Sequence, residues 1–382
     1  MDNKFDVIII GAGILGASVA ANMAEAGYST LIIERGDVAC GASGANLGQI
    51  SISDRVEPWH MPLALESQKY YKEVLSKDYD IEYNPSGGSL FIMNDEQLDC
   101  AKKAQADMKK YGIESEIYYG EDINKIQPAV NKDAMIALLH VPAEAKLNPF
   151  FTVLAFIDKA KKAGAVLLKN TEVVSFDKDG SHITAVNTKD ASYTAKWIVN
   201  ATGPRAAFVG DLAGVKIPVN FHKGTAFVSE PVGEYLVGPI VGGGALLEGI
   251  PGPRPQRHIG TGLIQTADGT IVIAQSTEEC ESDDRSVNMP SLALVAQRFL
   301  QFYPQLKDIQ IVRAWASCTT YTQDNVPVFG FSKDADNLFT VAGWKGAFTT
   351  APAVGRITKE ALEGKMDPIY EICTPDRVLP QY

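Results

Sequence analysis

The chain has 382 residues, of which 46% are apolar and 21% are charged, as is ordinary for a globular protein. Its 46 acidic residues outnumber its 35 lysines and arginines, which gives a net charge of −11. This composition excludes a disordered tail, a collagen and a coiled coil, and the acidic balance argues against nucleic acid or an anionic membrane as a partner. The length predicts about two or three structural units.

The five cysteines are scattered and form no CxxC pair, so the sequence predicts neither a metal site nor a disulfide framework. Such cysteine usage is typical of the reducing cytoplasm, where we expect the protein to be located. Residues 7–26 are mostly apolar, but they contain three glycines and lack the basic leading region of a signal peptide. They predict a strand, a turn and a helix rather than a signal peptide or a transmembrane segment.

A glycine-rich turn follows the first predicted strand. Residues 5–10 have the apolar, β-branched composition of a buried parallel strand, and Gly11, Gly13 and Gly16 follow at GxGxxG spacing. Gly11 permits the tight turn, Gly13 lets a pyrophosphate approach the backbone, and Gly16 lets the next helix pack on the strand. The start of that helix offers free N–H groups and the positive end of its dipole to phosphates.

A second predicted strand, residues 30–33, ends at Glu34 and Arg35. An acid at this place can accept hydrogen bonds from the hydroxyls of a ribose. Strand, glycine turn, helix, strand and acid therefore stand in the order of a dinucleotide-binding βαβ unit.

The next segment indicates which dinucleotide is bound. Residues 40–51, CGASGANLGQIS, are small, polar and rich in glycine, whereas an NAD domain usually continues with another amphipathic helix. A loop of this kind can place N–H groups and hydroxyls along an extended cofactor. Here the sequence resembles the FAD-dependent D-amino acid oxidase superfamily. That group includes glycine and sarcosine oxidases and the flavin subunits of proline, hydroxyproline and opine dehydrogenases.

Further landmarks of this family follow in order along the chain. They are a proline-started helix and strand within residues 144–170, the adenine-side segment 171–174, the WIVNATG strand at 197–203, the WA and TQD motifs within 315–330, and the final strand, glycine turn and helix at 339–355. The resemblance covers nearly the whole chain and implies an α/β fold.

The resemblance also implies two domains. A Rossmann-like FAD-binding domain, discontinuous in sequence, is expected at residues 1–75, 145–215 and 320–382. A substrate-binding α+β domain with a mixed sheet is expected at residues 76–144 and 216–319.

Several segments of the expected substrate domain have a distinct composition. Residues 88–93, 223–229 and 270–274 predict strands. Residues 238–262 are rich in glycine and proline and predict a long loop. Such a loop is a flexible surface connection, an active-site lid or a partner-facing loop.

The family pattern implies non-covalently bound FAD as the cofactor. The residues expected to contact it lie on the glycine turns, the strand ends and the small-residue loop: Gly11, Gly13, Ile14, Leu15, Gly16, Glu34, Arg35, Ser43, Asn46, Leu47, Gly48, Gln49, Val173, Ala201, Thr202, Gly203, Gly343, Trp344, Lys345, Gly346, Phe348 and Thr349.

The usual carboxylate-binding residues of the family are absent. Glycine oxidases have an arginine where this chain has Thr319, and sarcosine oxidases have a lysine where it has Thr349. Glycine and sarcosine are therefore doubtful substrates. The family nevertheless implies an amino acid or amine substrate, oxidised to an imine that hydrolyses.

Three residues are predicted to take over the catalytic and clamping roles. Tyr321 could hydrogen-bond a carboxylate or amine, Lys345 lies in the turn expected beside the flavin, and His222 could orient the substrate or take a proton. Two of them also have a plainer interpretation: Lys345 as a surface lysine and His222 as a packed histidine at the domain hinge. Lys223 follows His222 where relatives often have arginine.

Three basic residues of the glycine- and proline-rich segment, Arg254, Arg257 and His258, could recognise an anionic substrate, although a solvated loop arginine is the favoured interpretation. Cys318 lies one residue from the position, here Ser317, at which some sarcosine oxidases attach FAD covalently. A packing role is the default interpretation of Cys318.

Residues 260–274 contain no lysine, whereas oxidases of the family often keep one near the flavin. This favours a dehydrogenase that passes electrons to a partner flavin or iron–sulfur subunit. Two alternatives stay open: an FAD-dependent 2-hydroxy acid or glycerol-phosphate dehydrogenase, and an electron-relay flavin subunit of a heteromeric complex.

Overall fold

The computed structural model describes residues 3–54, 57–247 and 257–377. In these segments the strands form two large sheets and a two-stranded ladder. The strands are β1 (Lys4–Ile10), β2 (Thr30–Ile33), β3 (Gln49–Ile50), β4 (Gly88–Ile92), β5 (Glu116–Tyr118), β6 (Ala137–Val141), β7 (Ala145–Lys146), β8 (Val166–Leu168), β9 (Val173–Asp179), β10 (His182–Thr188), β11 (Ser192–Asn200), β12 (Asn220–Pro231), β13 (Ile240–Gly242), β14 (Arg257–Gln265), β15 (Thr270–Cys280), β16 (Ile311–Tyr321), β17 (Val328–Ser332) and β18 (Ala335–Ala342).

The α-helices are α1 (Ile14–Glu25), α2 (Met61–Tyr70), α3 (Ser76–Asp78), α4 (Asp95–Lys110), α5 (Ile123–Ile126), α6 (Pro149–Lys162), α7 (Ala206–Leu212), α8 (Gly244–Leu247), α9 (Met289–Phe302) and α10 (Ala347–Leu362). A π-helical turn at Tyr71–Leu75 joins α2 to α3. Short 3-10 helices lie at Gly120–Asp122, Lys132–Ala134, Gly203–Arg205, Pro304–Leu306 and Pro368–Cys373.

The first sheet has a parallel centre in the order β18-β11-β1-β2-β8. Its central strands are continuous apolar runs because helices α1, α6 and α10 cover one face, and buried side chains of α7 lie against the other. Strand β17 pairs antiparallel with β18 at one edge of the sheet, and β10 of the β9–β10 hairpin pairs with β11. This arrangement places the carboxyl ends of β1, β2 and β11 side by side.

The second sheet is mixed, in the order β16-β12-β15-β14-β13-β4-β6-β5. The long antiparallel strands β12, β15 and β16 form one half, and helix α9 packs its apolar face on the sheet. The α/β class and the predicted strands at 88–93, 223–229 and 270–274 are confirmed. The exact domain boundaries stay a prediction.

The expectation of a long loop over residues 238–262 is wrong for the part that the structure describes. Strand β13, helix α8 and the start of β14 lie there, and Ile240 pairs with Leu263 in the ladder. Both side chains are buried, so burial of apolar residues outweighs the low strand propensity of the neighbouring glycines. Arg254 lies outside the described residues.

Within the described segments, none of the helices combines the length and the apolar character needed to cross a bilayer.

Candidate active site

A cavity of about 370 Å³ lies where the carboxyl ends of β1, β2 and β11 approach the second sheet. Binding at the carboxyl ends of parallel strands is the general rule for open α/β sheets. One end of the cavity is lined by the glycine turn and the end of β2. The other end is lined by β14, β15, β16 and the turn before α10. We call these the nucleotide end and the flavin end.

The glycine turn has the geometry that the sequence predicted. Gly11 has φ of +107°, and a Cβ atom there would lie 2.6 Å from the carbonyl oxygen of Ala201. A Cβ at Gly16 would lie 2.1 Å from the carbonyl oxygen of Gly11. Gly16 itself does not line the cavity, and its role is the close packing of α1 on the strands. Gly13 lines the cavity at the start of α1, and a Cβ added there would lie 3.0 Å from Ser43 Oγ.

Two side chains complete the nucleotide end. Ser43 Oγ accepts a hydrogen bond of 2.9 Å from the backbone N–H of Ile14 and so lies over the start of α1. Glu34 lines the cavity and accepts hydrogen bonds from the N–H groups of Ala12, at 2.9 Å, and Gly36, at 2.8 Å. The carboxylate therefore holds the turn in place and retains lone pairs for ribose hydroxyls.

A segment from the second sheet closes this end, and no sequence motif pointed to it. Asp283 pairs with Arg35 at 2.8 Å and with Arg285 at 3.2 Å. Arg285 Nη1 also donates a hydrogen bond of 2.9 Å to the carbonyl oxygen of Cys40. These side chains line the cavity, so the closure depends on contacts between distant parts of the chain.

The segment after β8 forms the far wall of the nucleotide end. Val173 and Glu172 line the cavity there, as the predicted adenine-side segment requires. Arg205, which pairs with Glu172 at 3.0 Å, lies over the ring of Phe208 at 4.3 Å. The apolar ring and the guanidinium plane offer faces on which a base can stack.

The flavin end is built by the segment around β3 and by the turn before α10. Leu47 and Gln49 line it on one side, and Gly343 to Thr349 line it on the other. Gly346, with φ of +68°, caps α10, so the first turn of that helix faces the cavity. The Tyr71 hydroxyl donates a hydrogen bond of 2.8 Å to the carbonyl oxygen of Phe348 and holds that turn.

The predicted cofactor residues are thus largely brought together. Ile14, Leu15, Asn46, Ala201, Thr202, Gly203 and Trp344 also line the cavity. Gly48 lies behind the lining, where a Cβ would meet the Leu147 carbonyl oxygen at 2.0 Å. The sequence did not single out Ser51 within the segment 40–51, and it missed Asp54 and Gln275, which line the flavin end without belonging to a recognisable motif.

The three predicted catalytic residues form one cluster at the flavin end. The ring of Tyr321 lies edge-on to His222, with centroids 4.8 Å apart, and Lys345 Nζ lies 5.7 Å from the Tyr321 centroid. Tyr321 and Lys345 line the cavity, whereas His222 does not and contacts it through Tyr321. His222 is therefore placed to orient Tyr321 rather than to touch a ligand.

The other basic candidates differ in whether they line the cavity. His258 lines the cavity. Arg257 pairs with Glu278 at 3.5 Å and lies outside the lining. Lys223 is buried outside the lining and pairs with Asp284 at 2.6 Å, which lowers the pKa of that carboxyl far below its ordinary value.

Cys318 is a poor candidate for covalent attachment of FAD. Its thiol is buried, does not line the cavity, and donates a hydrogen bond to the carbonyl oxygen of Asp284 at 3.2 Å. Burial raises its pKa to about 12, which leaves little of the reactive thiolate.

A buried carboxyl supports the flavin end from behind. Glu144 accepts hydrogen bonds of 2.8 Å from the N–H groups of Ile52 and Ser53, between the cavity-lining Ser51 and Asp54. A Cβ added at Gly88 would lie 1.9 Å from the Oε2 atom of Glu144. Burial raises the pKa of Glu144 to about 7, although the hydrogen bonds from Ser53 and Ile52 oppose this.

The residues present fit FAD. The glycine turn, the start of α1 with Ser43 beside it, and Glu34 suit the adenosine diphosphate part. At the other end, Trp344 Nε1 and Ser51 Oγ are buried and lack a hydrogen-bond partner among the described residues. Both residues line the cavity, so a ligand with a polar ring edge would satisfy them.

Comparison with known proteins agrees with this fit. Residues 6–361 match the family model described as "DAO: FAD dependent oxidoreductase". The chain is 24% identical to the HcnC component of the hydrogen cyanide synthase of Pseudomonas aeruginosa, covering 90% of this chain and 88% of HcnC. It is 23% identical to one of the subunits of the opine oxidase of Rhizobium meliloti, covering 95% of each chain.

Among solved structures, glycine oxidase from Geobacillus kaustophilus superposes with a TM-score of 0.88 at 20% identity, covering 99% of this chain and 100% of that chain. At this identity the likeness shows the fold, and it confirms the Rossmann-like arrangement. The family match covers most of the chain and extends over every landmark used above. The chain therefore belongs to the DAO family of FAD-dependent oxidoreductases.

Proposed function

We propose that this oxidoreductase oxidises the C–N bond of an amino acid or secondary amine, such as a proline derivative, an N-alkyl amino acid or an opine. The observation that carries the proposal is the cluster of Lys345, Tyr321 and His222 at the flavin end. This cluster supplies a cation and a phenol beside Thr319, the position at which glycine oxidases of the family have an arginine.

The proposed roles follow from these contacts. Lys345 attracts the substrate carboxylate, and the Tyr321 hydroxyl donates a hydrogen bond to it or to the amine. The edge-on ring of His222 fixes the orientation of Tyr321. Trp344 and Phe348 are almost fully buried, and their apolar walls exclude water and favour the neutral amine. Bound FAD supplies a ring that accepts a hydride from the carbon next to nitrogen.

The electron acceptor is also part of the proposal. HcnC and the opine oxidase relative are both named as subunits of larger enzymes, which supports a partner subunit for this chain. We propose that the chain is a dehydrogenase that passes electrons to such a partner, a flavin or iron–sulfur subunit. The lack of lysine in residues 260–274 now carries less weight, because Lys345 lines the flavin end. The cytoplasmic location stays a prediction.

The test is anaerobic reduction of the flavin in the purified holoenzyme by a panel of secondary amines, primary amino acids and 2-hydroxy acids. We expect a secondary amine to bleach the flavin, followed by release of a carbonyl product. Bleaching by a 2-hydroxy acid alone would replace the proposal with the hydroxy acid alternative. A flavin that none of them reduces would favour the electron-relay subunit.

A variant links the activity to the cluster. Lys345→Met should raise the half-saturating concentration of the reducing amine by about tenfold or more, because one charge-assisted hydrogen bond is lost, while FAD remains bound. Lys365→Met, at a side chain that is 72% exposed, is the control. An unchanged half-saturating concentration in Lys345→Met would remove Lys345 from the proposed role.

A further inference from the structure

Strand β14 lines the cavity from the flavin end towards His258 with two glycines, Gly262 and Gly260, and with Thr261 between them, and we call this stretch the glycine trough. Gly262 lies beside Leu47, whose Cδ2 atom would be 3.2 Å from an added Cβ, and Gly260 follows on the side towards His258. These three β14 residues line the same cavity. At the rise of a strand, Gly262 and His258 are separated by at most about 13 Å.

The trough ends at two polar side chains. A Cβ added at Gly260 would lie 3.7 Å from His258 Nε2 and 3.8 Å from Gln275 Cγ, so His258 and Gln275 flank this glycine. Both line the cavity. Within residues 257–377 and the other described segments, neither side chain forms a hydrogen bond to protein, so their N–H groups are available to a ligand.

Lys345 and His258 belong to different walls of the cavity. Lys345 lies in the turn before α10, and His258 lies on β14, which is separated from β16 by β15 and β12 in the second sheet. A substrate held by Lys345 beside Leu47 has one carboxylate engaged. An arm extended along the glycine trough would bring a second acceptor to His258 and Gln275.

We infer that the substrate is a secondary amine with two carboxylates, of the opine type. This inference rests on the proposed function. The first carboxylate binds Lys345 and Tyr321. The second, on an extended arm attached to the amine nitrogen, accepts hydrogen bonds from His258 and Gln275. The glycines at 260 and 262 provide the room for that arm.

The test compares two series of secondary amines in anaerobic flavin reduction by the holoenzyme. One series consists of N-(carboxyalkyl) amino acids of increasing arm length, and the other of N-alkyl amino acids of matched length. We expect the best dicarboxylate to have a half-saturating concentration at least about tenfold lower than its N-alkyl match. In His258→Leu this ratio should fall towards one. Arg257→Gln, which removes a full charge from the neighbouring residue outside the cavity, should retain the ratio.

Gly260→Val provides a second measurement, because no described atom lies within 3.4 Å of the added Cβ and the fold should tolerate it. In both series, this variant should weaken the binding of amines with a long arm more than the binding of amines with a short arm.

Equal half-saturating concentrations for the two series in the wild type, or an unchanged ratio in His258→Leu, would overturn the inference while the proposed function stands. Failure of every amine to reduce the flavin would overturn the proposed function itself.

Discussion

At the scale of single residues, Gly11 shows how one missing side chain makes the cofactor site. Its positive φ and the nearby Ala201 carbonyl oxygen leave no room for a Cβ atom. The GxGxxG spacing predicted this from the sequence, because only glycine permits such a turn. The sequence did not show that Glu34 also binds the backbone of the same turn.

Gly11→Ala should lower the free energy of unfolding by about 2–4 kcal/mol and abolish stoichiometric FAD binding. The added Cβ causes both backbone strain at positive φ and steric overlap with Ala201, and the two costs add. Chemical denaturation and the ratio of flavin to protein absorbance measure the two effects. Gly112→Ala is the matched control, because Gly112 also has positive φ, +74°, but nothing lies near an added Cβ. It should cost only about 1–2 kcal/mol and leave FAD bound. Full FAD occupancy in Gly11→Ala would contradict this account of the turn.

Glu144 gives the molecule a pH-dependent stability. Burial raises its pKa from the ordinary 4.5 to about 7, so the folded state holds this proton more tightly than the unfolded state does. The stabilisation is complete below about pH 4.5 and is lost as the pH rises through about 7.

Glu144→Gln keeps an oxygen for the Ile52 and Ser53 N–H groups but does not titrate. From about pH 5 to about pH 8, wild type should therefore lose up to about 3 kcal/mol of unfolding free energy relative to this variant. Denaturant titrations at several pH values measure the difference, with the exposed Glu121→Gln as the control. A constant difference across this range would show that Glu144 does not titrate there.

At the scale of elements, the segment after β15 connects the second sheet to the nucleotide end. Asp283 and Arg285 reach Arg35 and the Cys40 carbonyl oxygen, which belong to the first βαβ unit and its following loop. The segment is polar and has no recognisable motif. Its position depends on the long-range pairing of β12 with β15 and β16, which no local pattern specifies.

Arg285→Gln should raise the dissociation constant of FAD by about threefold to tenfold, because it breaks the link to Cys40 and removes a positive charge that lines the cavity. Fluorescence titration of the apoprotein with FAD measures this change. Arg313→Gln, at an exposed position on β16, is the control. Equal affinities for the two variants would mean that the segment does not contribute to nucleotide binding.

At the scale of the whole molecule, the predictable and unpredictable parts have different physical origins. The Rossmann-like domain was predictable because its turns and strand ends have strict local requirements, such as the glycines at 11 and 16. Strand β14 was missed because its glycines resemble those of a loop, although the sheet buries Leu263 and Ile264 of the same strand. The catalytic role of His222 stays a prediction, and only the structure shows that this residue reaches the cavity through Tyr321.

We propose that one cavity holds FAD and presents a secondary amine to its flavin ring. The absorbance spectrum of the purified chain, recorded under anaerobic conditions before and after addition of secondary amines, tests both parts of this proposal. We expect a flavin band that a secondary amine bleaches, and a flavin that denaturation releases into solution. A chain that shows no flavin band even after addition of FAD, or a band that no amine bleaches, would contradict the proposal.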